Sequence, residues 1–224
     1  MTTKMHIAIV GYGTAGQAVA ALLARDGHRV EVFERAADPG PVGAGLLLQP
    51  TGLQVLWHLG LLSSALAHGA PIRRLYGETP GGRAVTDMRY ADLDSRLFGL
   101  RMRRGALFSM LADALPYDAQ LHRGTRVVQV DHARALVHDK HGRRHGPFDL
   151  VIAADGSTST LRRDVQAPQL DRVYPWGALW CLVPLGDWAW KEELRQRYVA
   201  ARRMIGLLPV GTRPGNHQPM LSFF

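Results

Sequence analysis

The 224 residues predict an α/β fold built on parallel strands, and three stretches carry that prediction. The first is Ile7-Ala8-Ile9-Val10, an apolar strand running into Gly11-Tyr12-Gly13-Thr14-Ala15-Gly16. The second is the strand Arg29-Val30-Glu31-Val32-Phe33-Glu34, separated from the first by one helix of chain. The third comes late: Asp149-Leu150-Val151-Ile152-Ala153-Ala154, apolar after its first residue and ending in Asp155-Gly156. Strand, helix and strand in this order make a parallel pair joined by a crossover.

The glycine-rich turn between the first strand and the first helix has the spacing of a Rossmann-like dinucleotide site. Gly11 permits the tight turn, Gly13 lets the backbone approach a pyrophosphate, and Gly16 lets the helix pack close to the strand. The helix N-terminus adds free N–H groups and partial positive charge. Gly11, Gly13, Thr14, Ala15 and Gly16 are therefore candidate cofactor contacts. The helix is expected from Thr14 to Asp26, with Ala15, Ala18, Ala20 and Ala21 allowing close packing and Gly27 as its stop. Glu34 ends the second strand where an acidic side chain binds a ribose hydroxyl pair; a solvated strand-end glutamate is the plainer alternative. Arg35 follows, placed to stack on or pair with the adenine side.

Composition narrows the classes. With 46% hydrophobic and 21% charged residues the chain buries a core and is not disordered. The single Cys181 excludes an internal disulfide and argues against zinc, which fits a reducing, cytoplasmic compartment. Met1-Thr2-Thr3-Lys4 leads straight into a strand, so no signal peptide is expected, and no apolar run is long enough to span a bilayer. The net charge of +8 raises nucleic-acid binding, but the arginines are scattered and no aromatic-interleaved patch accompanies them. Anionic ligands explain the excess as well.

Gly11, Gly13 and Gly16, then Ala20, Leu23, Gly27, Val30 and Glu34, resemble the opening of FAD-dependent oxidoreductases. The resemblance is to the aromatic-ring hydroxylases similar to para-hydroxybenzoate and salicylate hydroxylase. Residues 36–50 read as a loop rich in Gly and Pro yet apolar, suited to a buried segment whose backbone passes close to a flat ligand. In the hydroxylases a similar Gly-Ala-Gly segment lies against the isoalloxazine ring, which nominates Gly45. A helix is expected from Thr51 to Leu59, with Leu53, Leu56 and Trp57 on its apolar face and Gly60 as its stop. From Ile72 to Leu100, short alternating runs around Thr79-Pro80-Gly81-Gly82 read as a β-hairpin region.

Arg101-Met102-Arg103-Arg104 is expected to open a helix running through Leu111 and Leu115 to Pro116. The resemblance implies that Arg104, three residues before a leucine, contacts FAD; on the residues alone, the three arginines could equally face water. Arg126–Val130 and Arg134–His138 read as strands. His138, His141 and His145 sit in a hairpin turn without rigid ligand spacing, and no metal is expected. Asp155-Gly156, with Ser159 expected to start a helix bearing Arg162, is similar to the second fingerprint of the hydroxylases. That turn serves the FAD pyrophosphate and the approaching nicotinamide nucleotide, and Asp155 is expected to act through hydrogen bonds to loop N–H groups. From Val173 the chain turns strand-like and aromatic; Trp176 and Trp180 either line a pocket or pack in the core. A charged helix is expected from about Trp188 to Arg203, then strands at Met204–Leu208 and Met220–Phe224.

The expected architecture is a Rossmann-like FAD-binding domain of residues 1–70 and 101–165, with a β-sheet substrate domain inserted as segments 71–100 and 166–224. The hydroxylases' third fingerprint, a strand ending in Gly-Asp before a small-residue helix, has no counterpart here, and the resemblance covers about the first half of a family member. The substrate domain is expected to be truncated. The resemblance implies a flavoprotein monooxygenase in which NAD(P)H reduces FAD and one oxygen atom of O2 passes to a small aromatic substrate. No catalytic base is assigned. Two alternatives are a truncated, non-catalytic FAD-binding fragment and an FAD-dependent reductase or dehydrogenase without oxygen transfer.

Overall fold

The computed structural model describes residues 3–40, 45–165, 170, 172, 174–212 and 215–224. In chain order its elements are β1 (His6–Val10), α1 (Thr14–Arg25), β2 (Arg29–Phe33), β3 (Gly45–Leu48), α2 (Pro50–His58), α3 (Leu62–His68), β4 (Ala70–Ile72), β5 (Arg74–Glu78), β6 (Ala84–Arg89), β7 (Gly99–Arg103) and α4 (Arg104–Asp113). They continue with β8 (Gln120–His122), β9 (Val127–Asp131), β10 (Leu136–Asp139), β11 (Arg144–His145), β12 (Leu150–Ala153), β13 (Cys181–Pro184), β14 (Glu193–Val199), β15 (Arg203–Val210) and β16 (Met220–Phe223).

The chain divides into two compact units, Met1–Pro41 with Phe108–Arg172, and Val42–Leu107 with Val173–Phe224. Segments 42–70 and 101–107, expected with the nucleotide-binding domain, group with the second unit, where β3 and β4 pair with β7 and Leu47 and Ile72 pack with Leu194 and Leu208.

In the first unit, β12, β1, β2 and β8 form a parallel sheet in that order. Both faces of β1 are buried, as a parallel sheet requires. Ile7 and Ile9 pack with Val30, Val32 and Ala20 of α1. Ala8 and Val10 pack on the other side with Phe33, Val127, Val137 and Phe148; Val127 and Val137 come from the antiparallel β11-β10-β9 sheet. Gly27 ends α1 at φ +89°, its N–H bonded to Ala24 O at 3.0 Å and that of His28 to Leu23 O at 3.1 Å. These bonds satisfy carbonyls the helix would otherwise leave open.

In the second unit, a mixed six-stranded sheet runs β13-β16-β15-β14-β5-β6, beside the antiparallel β3-β7-β4 sheet. The β5–β6 hairpin forms over the expected turn, with the Thr79 N–H bonded to Arg83 O at 2.9 Å. Ile72, Leu194 and Leu208 make a small core, joined by Leu47 and Leu75.

Several expectations fail here, each for a physical reason. Gly45–Leu48, expected as loop, is a strand because the three leucines pair with β7, Leu46 facing Met102 and Leu48 facing Leu100. Pro41–Ala44 of the same stretch lie outside the described residues. Arg101-Met102-Arg103 is the end of β7, not the start of a helix: Leu100–Arg103 pair with β3 and Leu100 and Arg101 also with β4, and α4 begins at Arg104. That helix ends at Asp113, before Leu115. The charged helix expected from Trp188 is instead β14 and the start of β15. Its charges alternate and find cross-strand partners on β5, with Arg197 3.0 Å from Glu78 and the Arg195 guanidinium 4.2 Å from the Tyr76 ring centre. Ser159 does not start an α-helix but precedes a short 3-10 turn, Leu161–Asp164, its Oγ accepting the Arg162 N–H at 3.1 Å. Trp57, placed on the apolar face of α2, is 62% exposed, while Leu53 and Leu56 are buried. Trp176 and Trp180 are exposed as well and lie before β13, so core packing does not describe them.

Candidate functional site

Four chain segments converge at the ends of the first unit's parallel strands. They are the end of β1 and the turn after it (Val10, Gly11, Gly13), the end of β2 and its exit (Phe33, Glu34, Arg35), the loop after β12 (Ala154, Asp155, Gly156, Thr158, Thr160), and the entry into β9 (Thr125, Arg126, Val127). Together they line a cleft of about 210 Å³. A crevice beyond the carboxyl ends of parallel strands is where such sheets bind ligands.

The glycines of the turn do different work. Gly11 has φ +107°, and a Cβ there would overlap the Ala154 carbonyl oxygen, so the turn and the β12 loop can meet only through a residue without a side chain. Gly16 is equally constrained, since a Cβ would overlap Gly11 O. Gly13 differs: beyond its own chain neighbours, no protein atom lies within 4 Å of the position its Cβ would take. Gly11 and Gly16 therefore hold the turn's shape, and Gly13 keeps the cleft open beside it.

Helix α1 starts from Gly13 with no side-chain cap and no acidic residue in its first turn. The N–H groups of Thr14, Ala15 and Gly16 thus keep their hydrogen-bonding capacity for an external acceptor. Glu34 is held on both oxygens: Oε2 accepts the Tyr12 N–H and Oε1 the Ala36 N–H, each at 2.8 Å. A carboxylate has about four acceptor sites, so two backbone donors fix its orientation and leave lone pairs for hydroxyl groups at the cleft wall. The solvated strand-end alternative does not describe this residue. Asp155 Oδ2 accepts the Thr160 N–H at 3.1 Å, which pins the β12 loop. Arg35 Nη1 donates to Thr158 Oγ1 at 3.4 Å, linking the loops after β2 and β12.

Of the residues nominated from sequence, Gly11, Gly13, Glu34, Arg35, Asp155 and Gly156 line this cleft, and Thr14, Ala15 and Gly16 form the helix start next to it. Gly45 and Arg104 belong to the second unit. Gly45 begins β3 opposite Arg103, and Arg104 is exposed at the start of α4. Sequence reasoning missed Thr125, Arg126, Thr158 and Thr160. The two threonines beside Asp155-Gly156 were findable as polar residues next to a fingerprint; Thr125 and Arg126 carry no local signal, because only the fold brings the segment before β9 to this wall.

The donor set suits the ADP half of a dinucleotide. A backbone-lined turn and helix N-terminus meet phosphate, an oriented carboxylate meets a ribose, and open space at Gly13 admits close approach. Among the described residues no group of three or more His, Cys, Asp or Glu side chains could hold a metal ion, and no helix is long and apolar enough to cross a membrane.

Known proteins share both sequence and fold. The chain is 36% identical over 166 residues to 3-amino-4-hydroxybenzoate 2-monooxygenase of Streptomyces cremeus, covering 72% of this chain and 42% of that protein. It is 30% identical over 206 residues to kynurenine 3-monooxygenase of Salinispora arenicola, covering 82% of this chain and 44% of the relative. The structure superposes on a variant of 2-methyl-3-hydroxypyridine-5-carboxylic acid oxygenase with a TM-score of 0.80 at 21% identity, covering 99% of this chain and 58% of that one. The chain thus spans less than half the length of these two curated relatives. Residues 4–213 match the family model described as FAD binding domain, and the chain belongs to that family.

Proposed function

We propose that this chain is the FAD-binding portion of a flavoprotein monooxygenase that uses NAD(P)H and O2 to hydroxylate a small aromatic substrate. The observation that carries the reading is the cleft at β1, β2 and β12, with two shape-holding glycines, one open glycine, an uncapped helix start and a carboxylate fixed by two backbone donors. The relatives support the reaction class, since both are named as monooxygenases and both names carry an aromatic compound. Bound FAD would supply the redox and oxygen-transfer chemistry.

The residues' own work is binding and orientation. The N–H groups of Thr14, Ala15 and Gly16 receive pyrophosphate oxygens at the positive end of α1. Glu34 accepts the ribose hydroxyls with the lone pairs that Tyr12 and Ala36 leave unused. Arg35, anchored on Thr158, flanks the nucleoside. Asp155 contributes through the loop it holds rather than by facing phosphate, which its charge would repel. Gly156 leaves the turn after β12 without a side chain at φ +84°. Gly45 and Arg104 are read as FAD contacts by family resemblance alone. The aromatic class of substrate rests on the relatives, not on a described pocket.

The test is direct. The purified chain should retain FAD, and ADP should compete for it. Glu34→Ala should weaken ADP by roughly tenfold, the loss of one charge-assisted contact pair. ADP binding unchanged by Glu34→Ala and Gly13→Val together would remove the cleft from the reading. Substrate-stimulated NAD(P)H oxidation with a hydroxylated product belongs to the longer protein; peroxide formed one-for-one without product would count against oxygen transfer.

A further inference from the structure

Three charged side chains are buried among the described residues: Glu31, Asp139 and Arg101. Glu31 and Asp139 have ion-pair partners in His6, Arg29 and His122, and in His145, respectively. Arg101 has none among the described residues. It sits in the middle strand of the β3-β7-β4 sheet, facing Leu47 on one side and Ala70 on the other. The residue is 5% exposed, and its Nε is sealed from solvent without an acceptor. Its guanidinium lies against Gly45, where a Cβ would come within 2.8 Å of Nε and 2.9 Å of Nη2. A side chain at residue 45 would displace the guanidinium, so this glycine leaves the room the fork occupies.

The electrostatics point the same way. Burial, then the neighbouring Arg104 cation, pulls the Arg101 pKa down to about 10, which leaves it charged at neutral pH. An uncompensated buried cation is costly, and a leucine or methionine would fill this strand position without that cost. Five N–H donors in a planar fork match a planar acceptor pair.

We propose that Arg101 is a binding residue for a planar anion that presents two conjugated acceptor atoms to the guanidinium, with Gly45 as the wall that keeps the fork open. That chemistry is met by the carboxylate of an aromatic acid or by the anionic pyrimidine edge of a reduced flavin. The assignment rests on the flavoprotein reading above and concerns residues of the second unit alone.

The test uses the 224-residue chain without turnover. In the first arm benzoate is titrated in the absence of flavin and followed by thermal shift and calorimetry. In the second, the affinities of oxidised and dithionite-reduced FAD are compared. Arg101→Met should lose at least about tenfold in benzoate affinity if the carboxylate is the ligand, or at least about tenfold for reduced but not oxidised FAD if the flavin is. Arg101→Lys, which keeps the charge but not the fork, should fall between, and Gly45→Ala should weaken the same arm. ADP affinity at the first unit's cleft should be unchanged in every variant. Both arms unmoved by Arg101→Met would overturn the proposal, as would a clear drop in its melting temperature in anion-free buffer, which marks a structural arginine. Wild-type failure to bind ADP would instead sink the flavoprotein reading, and the benzoate arm would still report on Arg101.

Discussion

Glu31 in the first unit and Arg101 in the second are both buried charges on inner strands, and they are treated in opposite ways. Glu31 accepts from His6 Nε2 at 2.9 Å, Arg29 Nη2 at 3.0 Å and His122 Nε2 at 2.9 Å. It ties β1, β2 and β8 together on one face of the parallel sheet. Burial pushes its pKa up, but the hydrogen bonds from His6 and His122 outweigh that and hold it below the ordinary glutamate range. Arg101 meets no such set among the described residues, and the cation nearest in effect opposes it. A saturated buried charge acts as a staple; an unsaturated one holds donor capacity for something else.

The largest expected effect in testing this contrast is at Glu31. Glu31→Ala leaves two histidines and an arginine without their shared acceptor and should cost about 3 kcal/mol by urea unfolding, in the range for breaking a buried pair. A loss under roughly 1 kcal/mol would reduce Glu31 to an ordinary surface pair and dissolve the contrast. Glu34→Ala comes next. It strips the acceptor from Tyr12 N–H and Ala36 N–H and should cost about 1–2 kcal/mol of stability, alongside the weaker ADP binding expected above.

The pH dependence sharpens the same point. The folded value of Glu31 lies below its unfolded value, so the unfolded chain takes up the proton first. Its stabilisation is complete above the ordinary glutamate range and drains as pH falls through the lowered folded value. Acid titration of unfolding free energy should show this loss in the wild type and less of it in Glu31→Gln. The smallest effect belongs to Arg101→Met, which should shift stability in anion-free buffer by no more than about 0.5 kcal/mol or raise it slightly. A large loss there would make the two charges alike.

How much could be read in advance followed how local the cause was. The turn after β1 was legible residue by residue, because a positive φ at Gly11 and a close approach at Gly16 are demands that only glycine meets. Gly27 and Gly60 as helix stops were legible for the same reason, both having positive φ. Residues 188–203 were not. Read singly, Glu193, Arg195 and Arg197 suit an exposed helix, and their strand character comes from partners about 119 residues away in sequence, as in Arg197 with Glu78. The cleft divides likewise: the glycines, Glu34 and Asp155 announced themselves, whereas Thr125 and Arg126 join only because β9 is carried to that wall.

The sequence by itself determined the parallel βαβ start, the dinucleotide turn and the fingerprint after β12, since short-range backbone geometry dictates each. Tertiary structure alone decided that Arg101 is inside. Its triplet with Arg103 and Arg104 looks like a basic surface, and only pairing with β3 on one side and β4 on the other buries its guanidinium. Burial is a property of neighbours brought from a distance, and no local pattern in Arg101-Met102-Arg103-Arg104 could supply it.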